Sequence, residues 1–138
     1  MPQLPPTADA PFVRTDFSNE GAWRDLLAAV SLPTSEDGFL ANLTVVDDPG
    51  FKGADPTALA ESAAKDGPRH AVLFAADAMA LSHPDRPILC IDLSQPQSTF
   101  RVIPSELWGV ENNLSLANMD WEEFAGAVDA DGIFRGFR

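Results

Sequence analysis

Apolar side chains recur along this chain with two different periods. Trp23, Leu26, Leu27 and Val30 are spaced three, one and three apart, the stripe of one helical face, and predict a helix over residues 19–30 with Ser18 as its N-cap. Shorter runs predict strands at residues 12–15, 39–46, 88–93 and 99–103, the second ending in β-branched Thr44, Val45 and Val46. Residues 71–76 are apolar without a break, as expected of a central strand covered on both faces. Only residues 94–98 separate the last two strands, a length that fits an antiparallel hairpin.

Prolines and glycines punctuate this pattern. Asp55-Pro56 reads as cap and first helical residue of a helix over residues 57–65, with Leu59 and Ala63 inward and Gly67-Pro68 as the stop. Asp48-Pro49 makes a turn, because Gly50 and Gly53 follow at once. Residues 77–87 read as a short connection, and residues 133–137 as a final strand or a cover for one edge of the core. The order β-α-β-α-β-β-β-α predicts an α/β fold, a single-domain sandwich with a mixed, partly parallel sheet. Residues 1–10, with three prolines and no apolar period, read as a mobile N-terminal arm, and residues 11–138 as the domain.

The tract from Ile103 to Trp121 holds two of the three Trp and three of the five Asn residues. Pro104 suits the first turn of a short helix carrying Leu107, Trp108 and Val110, which Asn112-Asn113 stops. Leu114 and Leu116 predict an extended piece, and the Asp120, Glu123 spacing a capping box opening a helix over residues 121–128. The whole is expected to cross the core as an irregular C-terminal lid pinned by Trp108 and Trp121. Its polar side chains Glu111, Asn112, Asn113 and Asn118, with Trp108, are candidate binding residues. Satisfaction of local backbone groups is the more ordinary role for such Asn residues.

Charge changes the picture more than composition does. An apolar fraction of 45% is ordinary, but nine basic against twenty-one acidic residues give a formal charge of −12. That balance repels nucleic-acid phosphates and anionic lipid and attracts a cationic protein or a metal. There is no run of about 18 apolar residues and no leader-like start, so a cytoplasmic protein is expected. Cys90, the single cysteine, lies in an apolar run and reads as a small core residue.

Several predicted strands end at or near a carboxylate: Asp16, Asp47, Asp48 and Asp77. In a sheet with parallel strands these ends share one edge, where such folds bind ligands, and convergent carboxylates hold Mg²⁺. Against a phosphotransfer site stand the missing glycine-rich loop and its lysine, and a ready alternative role for Asp as a helix cap. His70 and His83 have no His or Cys at ligand spacing, so no metal site is predicted. Ser82-His83-Pro84-Asp85 is too local to form a triad, and no catalytic residue is predicted.

The chain resembles a family of small uncharacterised bacterial proteins, chiefly from actinomycetes. The resemblance rests on the stretches Val13-Arg14-Thr15-Asp16-Phe17, Val46-Asp47-Asp48-Pro49, Phe100 to Trp108, Glu111 to Asp120 and Asp131 to Gly136. It implies a single-domain, soluble bacterial protein and carries no activity, cofactor or catalytic residue with it. The first reading is therefore a non-enzymatic, acidic interaction module without a cofactor, an inhibitor or immunity-like binder of a basic protein. The second is a Mg²⁺-assisted hydrolase or phosphotransfer enzyme built on the strand-end aspartates.

Overall fold

A computed structural model describes residues 1–137. Six strands form one mixed sheet: β1 (Ala10–Arg14), β2 (Leu43–Val46), β3 (Val72–Ala76), β4 (Ile88–Asp92), β5 (Thr99–Val102) and β6 (Ile133–Phe134), in the spatial order β2-β1-β3-β4-β5-β6. β2, β1 and β3 are mutually parallel, β4 runs against both neighbours, and β6 is parallel to β5. Only β4 therefore opposes the other five. The α/β class and the mixed, partly parallel sheet agree with the sequence expectation, as does the β4–β5 hairpin.

Strand alternation sorts the core into two faces. Phe12, Val72, Phe74, Ile88 and Cys90 point to the thick face. There they meet α1 (Glu20–Val30), α3 (Ala78–Ser82), α4 (Leu107–Ser115) and α5 (Trp121–Ala125) through Trp23, Leu26, Ala80, Leu107, Val110, Leu114 and Phe124. Val13, Leu73, Ala75 and Ile91 point the other way and are covered by Phe51 and Ala54, by Leu59 of α2 (Pro56–Glu61) and by Leu4. All five residues of β3 are buried, as a strand between two covered faces must be.

Several local expectations change. The segment read as a mobile arm lies packed on the domain: Leu4 is buried, its amide donates to the Ser62 carbonyl at 2.8 Å, and β1 already begins at Ala10. The reason is area, since α2 is too short to cover the thin face alone. The N-cap of α1 is Asn19, whose side chain accepts from the Ala22 amide, rather than Ser18. β2 is confined to residues 43–46, and the connection over residues 77–87 contains α3, capped by Asp77.

The largest correction concerns residues 104–119. Asn112-Asn113 does not stop the helix, and no extended piece follows. A 3-10 turn over Pro104–Glu106 runs straight into α4, which continues to Ser115 because Leu107, Val110 and Leu114 form one buried stripe. The tract is a core helix and not an irregular lid. The capping box at Asp120 and Glu123 is present. No helix among the described residues is long and apolar enough to cross a membrane.

Candidate functional site

The carboxyl ends of β1, β2 and β3 share one edge, and Asp16, Asp47, Asp48 and Asp77 follow those ends as expected. Each has a local partner. Asp16 accepts from the Ser18 amide at 3.2 Å and hydroxyl at 3.0 Å, and Asp48 from the Gly50 amide at 2.8 Å. Asp77 accepts from the Ala80 amide at 3.1 Å and is gripped by both terminal nitrogens of Arg101, at 2.9 and 2.7 Å. Asp47 lies 3.4 Å from Arg14.

Arg14 organises this edge. Its side chain is 4% exposed and donates to Glu20 at 2.8 Å and to the Asp16 carbonyl at 3.1 Å, with the guanidinium 4.4 Å from the Phe17 ring centroid and 5.2 Å from that of Trp23. A cation thus stands where the enzyme reading places Mg²⁺. Among the described residues, no three His, Cys, Asp or Glu side chains gather closely enough to hold a metal ion. The shared edge exists, but its carboxylates serve caps and ion pairs.

The remaining reactive groups are also accounted for locally. Cys90 is fully buried, and burial pushes its thiol well above the ordinary range against the opposing charge of Arg101, so it is a poor nucleophile. His83 accepts at Nδ1 from the Asp85 amide at 3.0 Å within its own turn. The Arg135 guanidinium, 2.7 Å away, holds the Asp129 carboxyl below its usual range, with help from the Ile133 amide.

The candidate residues of α4 divide into two groups. Asn113 Nδ2 donates back to the Gly109 carbonyl at 2.8 Å, and the Asn118 amide donates to the Asn113 carbonyl at 2.9 Å to close the helix end. Asn118 is exposed, and both serve helix termination. Glu111 and Asn112 instead reach across to the strand lead-in. Glu111 Oε1 accepts from the Asn42 amide at 2.6 Å and from Asn112 Nδ2 at 2.9 Å, while Asn112 Nδ2 also lies 3.4 Å from the Leu40 carbonyl. One turn earlier, Trp108 stacks on Phe39 with ring centroids 4.6 Å apart.

These contacts fix residues 39–42 against α4 and leave an open groove between that segment and the end of α1. The groove encloses about 520 Å³, has Leu32, Phe39, Leu40 and Trp108 on its apolar walls, and includes Glu36, Asp37 and Glu106 among its lining residues. Leu32 is 71% exposed, Phe39 44% and Leu40 42%. Trp108 is partly open, whereas Trp121 is buried on Phe100 and donates from Nε1 to the Ser98 hydroxyl at 2.9 Å.

The comparison that bears on this surface is at family level: a family model matches residues 9–137, nearly the whole chain. The chain belongs to the DUF6924 family, a domain of unknown function. No curated protein matches it.

In this DUF6924 domain the structure brings together Trp108, Glu111 and Asn112 around residues 39–42, and it sets Asp16, Asp47, Asp48 and Asp77 apart from them. Sequence reasoning missed Leu32, Phe39, Leu40 and Glu106 as surface partners of Trp108. Phe39 and Leu40 read as buried strand residues because they continue into Thr44-Val45-Val46. The available signal was Leu32-Pro33 and Phe39-Leu40 flanking a turn of polar residues, apolar side chains at a place that chain pairing cannot cover.

Proposed function

We propose that this domain is a bacterial, cytoplasmic interaction module that docks a segment of a basic partner protein in the groove beside Trp108. The observation that carries the reading is the combination at one place of Leu32, Phe39 and Leu40, all exposed, with Trp108 and the carboxylates Glu36, Asp37 and Glu106. Exposed apolar side chains rimmed by charge mark binding surfaces, and a partly open Trp in a groove is a typical anchor. The occupant follows from charge. A chain at −12 with an acidic groove accelerates encounter with a cationic segment and rejects an anionic one.

The role is binding without bond-making, as an inhibitor or carrier of that partner. The strand-end aspartates take no part in it. The test is capture of cross-linked partners from the producing cell by wild type, Trp108→Ala and Glu36→Lys/Glu106→Lys proteins, at low salt and at about 0.5 M salt, where the screening length falls below about 5 Å. A basic protein cross-linked to residues of the groove, lost in both variants and at high salt, is expected. Capture that is unchanged by all three treatments, or cross-links confined to another face, would overturn the reading.

A further inference from the structure

A carboxylate with little access to water and no cation beside it is less favourable than one that is paired. Glu111 is 3% exposed, and both of its hydrogen bonds, from the Asn42 amide and Asn112 Nδ2, fall on Oε1. Among the described residues Oε2 accepts from no protein group, and Glu111 has no ion-pair partner within 4.0 Å. No fully enclosed side-chain oxygen lacks a partner in the described residues, so the unpartnered Oε2 keeps some accessible surface, and Glu111 is among the residues that line an adjoining space.

That space is a cavity of about 280 Å³ at the amino ends of β1, β2 and β3, on the edge opposite the strand-end aspartates. Asp9, Asn42, Glu111, Asn112 and Ser115 line it. Two basic groups also border it, and neither neutralises Glu111. Arg69 is exposed and makes no ion pair within 4.0 Å among the described residues. The Thr7 hydroxyl gives its hydrogen to the Asp9 carbonyl at 2.7 Å, so His70 Nε2, 3.0 Å from both the Thr7 hydroxyl and carbonyl oxygens, carries the hydrogen there and directs it at Thr7.

We infer that this cavity is a subsite for a primary ammonium group, the head of a lysine side chain, with Glu111 Oε2 as its counter-ion. The group brings one positive charge and three donors, and Asp9, Asn112 and Ser115, residues whose side chains carry acceptor oxygens, line the same cavity. The inference rests on the reading of the Trp108 face as the dock for a basic segment. Residues 39–41 line the groove and Asn42 lines this cavity, so one extended segment lying along residues 39–42 reaches both.

The test uses the intact domain and n-butylammonium chloride as probe, followed by amide chemical shifts, with sodium chloride and n-butanol at matched concentration as controls. Saturable shifts at the Asn42 amide and the Asn112 side-chain amide are expected with the ammonium alone. Glu111→Gln keeps an acceptor for Asn42 and should weaken the probe about tenfold or more, because a charge-assisted bond becomes a neutral one. Ser115→Lys, which leaves Glu111 intact, supplies a competing ammonium from within the chain and should abolish the shifts.

Three outcomes would overturn the inference: no saturable shift, equal affinity in Glu111→Gln, or a double-mutant cycle showing Glu111 coupled in stability to Arg69, which would make the carboxylate internally paired. Absence of a captured basic partner alongside a normal probe titration of the wild-type domain separates failure of the groove reading from failure of the subsite, as does intact capture with no titration.

Discussion

Single residues in this domain hold positions that their neighbours dictate. Ala117 has φ of 55°, the left-handed region that favours glycine, at the end of α4. Its amide donates to the Leu114 carbonyl at 3.2 Å and the Asn118 amide to the Asn113 carbonyl at 2.9 Å, the paired closure of a Schellman end. Ala117→Gly should therefore raise stability by up to about 1 kcal/mol, relief of side-chain strain outweighing the added freedom of the unfolded chain. Denaturant melts at fixed slope would show it, and a lower midpoint would contradict the strain argument.

Legibility at this scale followed from whether a residue's partner was near in sequence. Asp120 and Glu123 announced their capping box, and Asp55-Pro56 its helix start, because both partners lie within one turn. Glu111 was singled out as a candidate, but the Asn42 amide it holds is 69 residues away, beyond any local rule. Arg14 was silent for the same reason, with Asp47 33 residues distant.

At the scale of elements, burial outweighed propensity. Asn112-Asn113 looks like a stop, yet α4 runs through it, since the stripe of Leu107, Val110 and Leu114 gains more from packing than two Asn residues lose in intrinsic preference. Likewise α3 was invisible as five residues whose only deep anchor is Ala80. The sheet itself was more readable, because alternation and the short hairpin are local signals.

The N-terminal segment illustrates the converse, three prolines masking one apolar anchor. Leu4 fills a gap on the thin face beside Phe51 and Leu59, so Leu4→Ala should destabilise the domain by roughly 2–4 kcal/mol through lost burial and the cavity left behind. An exposed arm would give a change near zero. Chemical denaturation of the two proteins decides between them.

Over the whole molecule, the excess of carboxylates has two effects of opposite sign. Self-repulsion at −12 disfavours the compact state, and the same field would draw in the basic partner proposed above. Raising salt from about 20 mM to about 500 mM shortens the screening length several-fold and should raise the melting temperature while weakening partner binding. The Asp77–Arg101 fork, with both side chains largely covered, is shielded from much of that screening and should keep its contribution, whereas the exposed carboxylates Glu20 and Asp47 leave the Arg14 pairs open to it. A melting temperature that falls steadily with salt would show that attractive surface pairs, and not repulsion, dominate.

The 2.6 Å contact between Glu111 and the Asn42 amide joins two things that look separate, the helix that carries Trp108 and the residue just before β2. β2 is an edge strand, held laterally by β1 alone. Only Leu40, Ala41 and Asn42 separate Phe39 from the first residue of that strand. The apolar wall beside Trp108 and the outermost strand are thus one continuous piece of chain, pinned at its middle by a single carboxylate oxygen.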